Sequence, residues 1–439
     1  MPILDHLMSS TTPAHLSFEP RILVCLASEQ IMQNAVPALR LRPQRVVIAA
    51  SDTEPARRAA EQVTRVLVDY GWPAEAVRIV NRLPDHDLGA ISRYARQLAD
   101  ELQREHPGLP IDFNASGGTK VMSFGFLGAF AGLGDAWFCD TRYSLLEHLG
   151  NGPVRELPPD MLKLADLLQM QGYRVVTDPT WDPVFARTAA SRASLTERLA
   201  REAPHLNGFF GYVNRLTREA LPQTRTDGCI LRPFRAAIVS GRPLFDYNHD
   251  LAHAFVRAGL WEWDGDCLFT FADQEAAAYI GGGWLEEWAW LCLAGLEADG
   301  VLPDGHWGSN LRIDAGHDEQ EQIAVNELDA AVVWRNQLLF LECKTGVQIS
   351  TEGGSQTILN RLDSLRRHVG GAMGETWLLT ARRLQPGTGS AARERARTYR
   401  IRLVEPEELI HLRDQISAWM TPVPGSPEAQ NYVMERRGR

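Results

Sequence analysis

Five short apolar runs mark the first third of the chain: RILVCLA from Arg21, RVVIAAS from Arg45, VRIV from Val77, IDFN from Ile111 and AWFCD from Ala136. Between them lie longer segments whose apolar residues recur at helical spacing. This alternation predicts a parallel sheet with crossover helices. The stretch VMSFGFLGAFAGLG is too short and glycine-rich to span a bilayer, and reads as a helix packed closely on that sheet. From about 155 to 275 the pattern turns mostly helical and irregular, broken by Pro179, Pro183, Pro204, Pro222, Pro233 and Pro243. Within it, HDLAHAFVRAGLWEWDGDCLFTF reads as a helix followed by a hairpin about Asp264-Gly265, in the manner of a winged helix. From 280 onward a helix (WLEEWAWLCLAGLEA), a hairpin, a helix, a strand (TWLLT), an arginine-rich helix and a last strand (YRIRLVE) predict a second α/β core.

The hairpin NELDAAVVWRNQLLFLECKTG, residues 326–346, is apolar apart from a few charges: Glu327, Asp329, Glu342 and Lys344. A two-residue turn at Arg335-Asn336 pairs Trp334 with Gln337. Counting back along both strands sets Asp329 opposite Glu342 and Glu327 opposite Lys344. Two carboxylates facing each other destabilise a sheet. A divalent cation such as magnesium turns that repulsion into coordination, because hard ions take carboxylate oxygens. Lys344, two residues past Glu342, projects towards the same place, where it can orient a water or stabilise charge on a phosphate. The other reading is a cross-strand ion pair of Glu327 with Lys344, with Asp329 and Glu342 facing solvent.

A second cluster follows the IDFN run. Asn114-Ala115-Ser116-Gly117-Gly118-Thr119-Lys120 leads from a strand into a helix. Glycines let the backbone turn tightly, free N–H groups at the helix start attract an anion, and Ser116, Thr119 and Lys120 add donors. The first run ends in Ala27-Ser28-Glu29-Gln30 and the second in Ser51-Asp52-Thr53, so all three loops fall at one sheet edge, where open α/β sheets bind ligands. The loop is neither GxGxxG nor GxxxxGK[ST], which argues against a dehydrogenase or a P-loop ATPase.

With 439 residues the chain has room for two or three domains. Six scattered cysteines without a CxxC pair point away from a disulfide framework or thiolate zinc site and towards a reducing, cytoplasmic setting. The first twenty residues lack a basic start followed by an apolar run, so no signal peptide is expected. A formal net charge of −10 speaks against a general nucleic-acid coat but leaves room for a local basic channel. Arg361, Arg366, Arg367, Arg382, Arg383, Arg393, Arg395, Arg397, Arg400 and Arg402 form either such a channel or solvated helix faces.

Taken together, VCLASEQIMQNAVPAL and NASGGTKVMSFG in the first part, then GGGWLEEW, NELD and ECKTG in the second, make the chain resemble the CRISPR-associated Rossmann-fold (CARF) effectors in which a CARF domain precedes a PD-(D/E)xK nuclease domain. The resemblance implies an α/β protein with three parts: a Rossmann-like CARF sheet over residues 1–150, a mainly helical connecting module over 151–275, and a restriction-endonuclease-like domain over 276–439. It implies a homodimer that senses a cyclic oligoadenylate, expected to be cyclic tetra-adenylate, through Ser28, Glu29, Gln30, Asn114, Ser116, Gly117, Gly118, Thr119 and Lys120, to which Ser51 and Thr53 at the same sheet edge add further candidate contacts.

For the nuclease, the family pattern carries onto Glu286, Asp329, Glu342 and Lys344 as catalytic residues, with Asp329, Glu342 and Glu286 holding Mg2+ or Mn2+. Leu328 stands where the motif has proline, which leaves the parts played by Glu286, Glu287 and Glu327 open. The implied activity is a type III CRISPR antiviral nuclease that cuts DNA or RNA with little sequence preference, on single strands or by nicking supercoiled DNA, with no membrane partner. An alternative is a cyclic-oligoadenylate-responsive transcription regulator with an inactive nuclease fold, although the helix near His253 offers only Arg257 to DNA. A further rival is a zinc hydrolase, since His249-Asp250-Leu251-Ala252-His253 mimics HExxH.

Overall fold

The computed structural model describes residues 17–141, 143–225, 229–315, 326–346, 351–370, 374–384 and 387–421. Seven strands build the first sheet: β1 (Glu19–Leu26), β2 (Pro43–Ala49), β3 (Val77–Val80), β4 (Ile111–Asn114), β5 (Ala136–Asp140), β6 (Leu145–His148) and β7 (Arg155–Glu156). Their order is β3-β2-β1-β4-β5-β6-β7; β1 to β5 run parallel, and β6 and β7 add antiparallel neighbours at one edge.

The apolar runs are continuous because both faces are covered. Leu23, Cys25, Val46 and Ile48 pack on one side with the helices Met32–Leu41 and Glu54–Asp69, while Ile22, Val24, Leu26, Val47 and Ala49 pack on the other with Leu88–Glu105 and Lys120–Phe130. The strand order reverses between β1 and β4. At such a switch point the loops leaving the two strands diverge to opposite faces and open a crevice.

A second, six-stranded sheet has the order β18-β17-β16-β15-β14-β8. It is built from β8 (Arg174–Thr177), β14 (Trp307–Asp314), β15 (Asn326–Trp334), β16 (Gln337–Lys344), β17 (Glu375–Thr380) and β18 (Ile401–Val404). The strands β16, β17 and β18 are parallel and the rest antiparallel. The helix Trp284–Ala298 packs on one face together with Pro183–Glu202 and Asn207–Ala220. On the other face lie Leu164–Met170 and Glu352–Val369. The fold class expected from the sequence, α/β with a parallel Rossmann-like first sheet, is the one observed.

Between these sheets in the chain, β9 (Gln223–Thr224) pairs with β10 (Ile230–Arg232), and β11 (Ala237–Val239), β12 (Trp261–Trp263) and β13 (Leu268–Phe271) form a small sheet of order β11-β13-β12. The helix His249–Arg257 precedes the β12–β13 hairpin, which turns at Gly265 with φ 88°. Two strands of the second sheet, β8 and β14, had no counterpart in the sequence pattern. Among the described residues no helix is long and apolar enough to cross a membrane.

Candidate active site

The hairpin register is the one counted from its turn. Trp334 pairs with Gln337, and the ladder continues to Ala330 with Leu341. Arg335 and Asn336 both take positive φ, 53° and 61°, as a two-residue turn of the I′ kind requires. One step further the backbone ladder stops. Instead, the Asp329 carboxylate accepts a hydrogen bond of 2.7 Å from the Cys343 N–H. The two strands part where the charges begin, and a side chain takes over the pairing.

Around that parting, the Lys344 ammonium lies 2.7 Å from Glu342 Oε1 and 3.8 Å from Asp329 Oδ2. Glu342 is 3% exposed and Asp329 9%, so neither carboxylate faces open solvent as the ion-pair reading had it. Arg361, on the helix Glu352–Val369, brings its guanidinium to 3.7 Å of the same Glu342 oxygen. Nothing in the spacing of Arg361 marked it beyond its place in the arginine cluster.

Glu286 sits in the first turn of Trp284–Ala298. Burial pushes its carboxyl up to about 8; the Asp329 charge adds to this and Lys344 partly offsets it. Asp329 is pushed up to about 6, first by burial and then by the Glu342 charge. Burial works against the charge on Lys344, but the neighbouring Asp329 and Glu342 carboxylates outweigh it and raise its pKa. These four residues therefore share one electrostatic site.

The glycine run before the helix explains how Glu286 gets there. A Cβ on Gly282 would lie 2.3 Å from Thr345 Oγ1, so only glycine lets the chain pass this close to the end of β16. Thr345 Oγ1 donates to the Gly281 carbonyl, and Asn214 Nδ2 donates to the Thr345 carbonyl at 3.1 Å.

Glu287, next in the chain, turns elsewhere. It is 1% exposed, bonded to Arg192 at 2.7 and 2.8 Å and to Thr196 Oγ1 at 2.6 Å. It ties two helices together. Glu327 is exposed and contributes its charge at a distance to Asp329 and Glu286.

Whether this set suits a divalent cation is a question of donor chemistry. Glu286, Asp329 and Glu342 offer only hard carboxylate oxygens, and the raised protonation of Glu286 and Asp329 comes first from burial and then from neighbouring carboxylate charge, which a cation relieves. Among the described residues, no group of three or more His, Cys, Asp or Glu is drawn together tightly enough to grip an ion, and the Lys344 ammonium lies against two of the carboxylates. The donor chemistry is of the kind a magnesium-type ion takes, while the positions shown do not close around one.

At the first sheet, the loops after β1, β2 and β4 emerge at one edge beside the β1/β4 switch point. Asn114 is fully buried and committed to the scaffold: its Nδ2 donates to the Gln33 carbonyl at 2.8 Å and to Asn34 Oδ1 at 3.1 Å, and its Oδ1 accepts from Ser116 Oγ at 2.6 Å. Ser116 Oγ in turn accepts from the Cys139 N–H at 2.7 Å. Thr119 caps the helix Lys120–Phe130 by accepting from the Met122 N–H. Gly117 is a packing glycine, since a Cβ there would lie 2.3 Å from the Leu26 carbonyl.

Glu29, Gln30, Gly118 and Lys120 are exposed, and Ser28 half-buried. Ser51 Oγ and Thr53 Oγ1 share a hydrogen bond of 3.1 Å. A cleft of about 360 Å³ lined by Glu29, Ile31, Glu54, Pro55, Arg58, Ala59 and Gln62 opens beside them. Another of about 370 Å³, near Arg45, Arg78 and His106, lies at the opposite edge and contains none of the candidate residues.

The zinc-hydrolase reading is not supported by the geometry. His249 and His253 both lie against the Trp263 ring, at 4.7 and 5.2 Å, and Asp250 pairs with Arg198 at 2.6 Å. The arginine cluster is largely neutralised. Arg366 and Arg367 pair with Asp363, Arg383 with Glu407, Arg393 with Glu405, Arg397 with Glu394 and Arg402 with Glu408.

Residues 273–423 match the family model of the Card1-like endonuclease domain. The resemblance to CARF effectors with a C-terminal nuclease domain holds. The match takes in the helix of Glu286, the charged hairpin and the helix of Arg361. Two solved structures share the fold of nearly the whole chain. Protein VC1899 from Vibrio cholerae aligns with a TM-score of 0.72 at 21% identity, covering 91% of this chain and 98% of its own. Can2 from Sulfobacillus thermosulfidooxidans, in complex with cyclic tetra-adenylate, aligns with a TM-score of 0.67 at 20% identity, covering 91% of this chain and 99% of its own. Comparison with curated proteins returned no match.

Proposed function

We propose that this chain is a metal-dependent nuclease of type III CRISPR defence, switched on by a cyclic oligoadenylate and acting as a homodimer. The observation that carries the reading is the meeting of Asp329, Glu342 and Lys344 at the parting of β15 and β16, inside the stretch that matches an endonuclease domain. Glu286, Asp329 and Glu342 would hold Mg2+ or Mn2+, which when bound supplies a Lewis acid and lowers the pKa of water.

The chain's own groups do the rest. Asp329 is aimed by the Cys343 N–H, Lys344 keeps its proton and offers positive charge to a phosphodiester, and Arg361 adds a second cation from the helix side. The cyclic ligand, expected to be cyclic tetra-adenylate as in the Can2 complex, is assigned to the β1/β4 edge through Ser28, Glu29, Gln30, Ser51, Thr53 and the Asn114–Lys120 loop. In that loop Asn114 and Ser116 hold the shape while Gly118 and Lys120 are exposed.

A physical link between the two regions supports ligand control. The hairpin turn is fastened to the first sheet and to the segment that follows it: Ser144 Oγ, in the β5–β6 turn, donates to the Arg335 carbonyl at 3.3 Å, and the Arg335 N–H donates to the Pro159 carbonyl, past β7, at 2.8 Å. From that turn to Glu342 the strand spans roughly 20 Å. A ligand that favours one placement of the first sheet would act on the carboxylates through this strand pair.

The test is cleavage of labelled single-stranded DNA, single-stranded RNA and supercoiled plasmid with magnesium or manganese, with and without cyclic tetra-adenylate. Cutting that requires both metal and ligand is expected and would name the substrate. Ligand binding without cutting under every combination would instead favour the regulator reading.

A further inference from the structure

The loop between β11 and the helix His249–Arg257 carries two aromatic rings that the fold leaves outside. Phe245 is 52% exposed and Tyr247 73% exposed, and their rings stack nearly parallel, 5.5 Å between centroids and 8° between planes. The Arg242 guanidinium lies 5.7 Å from the Phe245 ring. Two large rings exposed side by side leave apolar surface in contact with water, which makes them a surface for something else to cover.

Their position relative to the carboxylates narrows what that is. The helix Asn207–Ala220 joins the two places. At one point Asn214 holds the Thr345 carbonyl, directly after Lys344, and at another Tyr212 Oη donates to the Arg242 carbonyl at 2.9 Å. Gly208, Gly211 and Arg215, spaced i, i+3 and i+7, share its outer face. A Cβ on Gly208 would lie 3.8 Å from Tyr247 Oη, and one on Gly211 would lie 3.5 Å from Arg382 Nη1. The helix is therefore bare of side chains along a path from the stacked rings to Arg382. The helix rises 1.5 Å per residue, so Gly208 and Asn214 are about 9 Å apart along it.

Charge agrees with this path. Whereas most arginines of the C-terminal cluster are neutralised, Arg215, Arg242 and Arg382 have no carboxylate partner among the described residues; Arg215 donates to Ser240 Oγ and Arg382 to Asn207 Oδ1. The loop's own carboxylate, Asp246, is fully exposed and 3.7 Å from His249. Three uncompensated guanidiniums on an otherwise acidic protein mark a local anion path.

We propose that the Phe245–Tyr247 pair and the bare face of Asn207–Ala220 form a docking track for single-stranded nucleic acid, leading the strand to Lys344. Unpaired bases stack on the rings, and phosphates follow Gly208 and Gly211 between Arg242, Arg215 and Arg382. A duplex keeps its bases inside and gains nothing from the rings, so the track selects single strands. The direction of travel rests on the nuclease reading; the binding itself does not.

The test uses the full chain in EDTA, so that substrate stays intact, with fluorescein-labelled oligodeoxythymidylate or oligouridylate and a duplex of equal length, read by fluorescence anisotropy. Wild type should bind a single strand more tightly than the duplex. Phe245→Ala with Tyr247→Ala should weaken single-strand binding about tenfold or more, since each stacked base is worth about 1–3 kcal/mol. Phe245→Tyr with Tyr247→Phe keeps both rings and should bind as wild type. Unchanged affinity in the double alanine variant, equal loss in both pairs, or no binding of either single strand by wild type overturns the track. Binding that needs the rings, in a protein that cuts nothing with any metal, would sink the nuclease reading and leave the track standing.

Discussion

The Asp329 carboxylate takes the Cys343 N–H at 2.7 Å, at the step where the β15–β16 ladder ends. One side chain thus serves both the fold and the site. Asp329→Ala should leave that N–H buried without an acceptor, at a cost of about 1–3 kcal/mol. Asp329→Asn keeps an acceptor and should melt close to wild type. Both variants should lose about a hundredfold or more in cleavage, as should Lys344→Ala. Thermal melts alongside initial rates separate the two effects; a cleaving Asp329→Asn enzyme would remove Asp329 from the site.

Proton linkage gives the second expectation. The Glu286 carboxyl keeps its proton in the fold up to about pH 8, whereas its ordinary pKa is 4.5. Across that window the unfolded chain binds fewer protons than the native one, so the group's contribution to metal-free stability falls as pH rises. Asp329 acts in the same sense between 3.8 and about 6. Glu286→Gln removes the first contribution. Its melting temperature in EDTA should match wild type near pH 4.5 and exceed it at pH 8, by roughly 2–4 °C for each kcal/mol relieved. Manganese should raise the wild-type melting temperature more at pH 8 than at pH 6, because protons compete for the same oxygens. Equal shifts at both pH values would contradict this.

The neighbouring Glu287 should behave in the opposite way. Its pairing with Arg192 and Thr196 is buried, so Glu287→Ala strands a guanidinium and should cost about 3–5 kcal/mol of stability. The folded fraction should keep its turnover and its pH profile. Loss of turnover without a drop in melting temperature would place Glu287 in the site instead.

That contrast shows where sequence reasoning reaches and where it stops. The five runs of the first sheet and the hairpin register were legible because apolar continuity and a two-residue turn are local signals. β8 and β14 were not: Arg174–Thr177 is a short, largely exposed edge strand, and Trp307–Asp314 carries a glycine, a serine and an asparagine in its first half. Glu286 and Glu287 are adjacent and chemically alike, and only Arg192, ninety-five residues upstream, decides which one the fold consumes. Asn114 and Ser116 looked like ligand donors for the same reason. Their partners, Gln33, Asn34 and Cys139, are brought in by packing across strands and helices that spacing cannot reveal.

The first sheet offers the last separation. Gly117→Ala places a Cβ 2.3 Å from the Leu26 carbonyl and 2.8 Å from Asn34 Oδ1, so the loop must shift against backbone as well as side chain. Asn114→Ala unpicks four hydrogen bonds that hold the same loop to Gln33, Asn34 and Ser116. Both should lower the melting temperature and weaken binding of cyclic tetra-adenylate together. Lys120 is exposed at the start of its helix, where a cation beside free N–H groups is useful to an anion and costly to the helix. Lys120→Ala should therefore weaken the ligand about fivefold or more while leaving the melting temperature unchanged or slightly higher. Calorimetric titration against the melting curve distinguishes these outcomes. Undiminished affinity in Lys120→Ala would move the phosphates of the ligand away from this loop and towards the Glu29–Arg58 cleft.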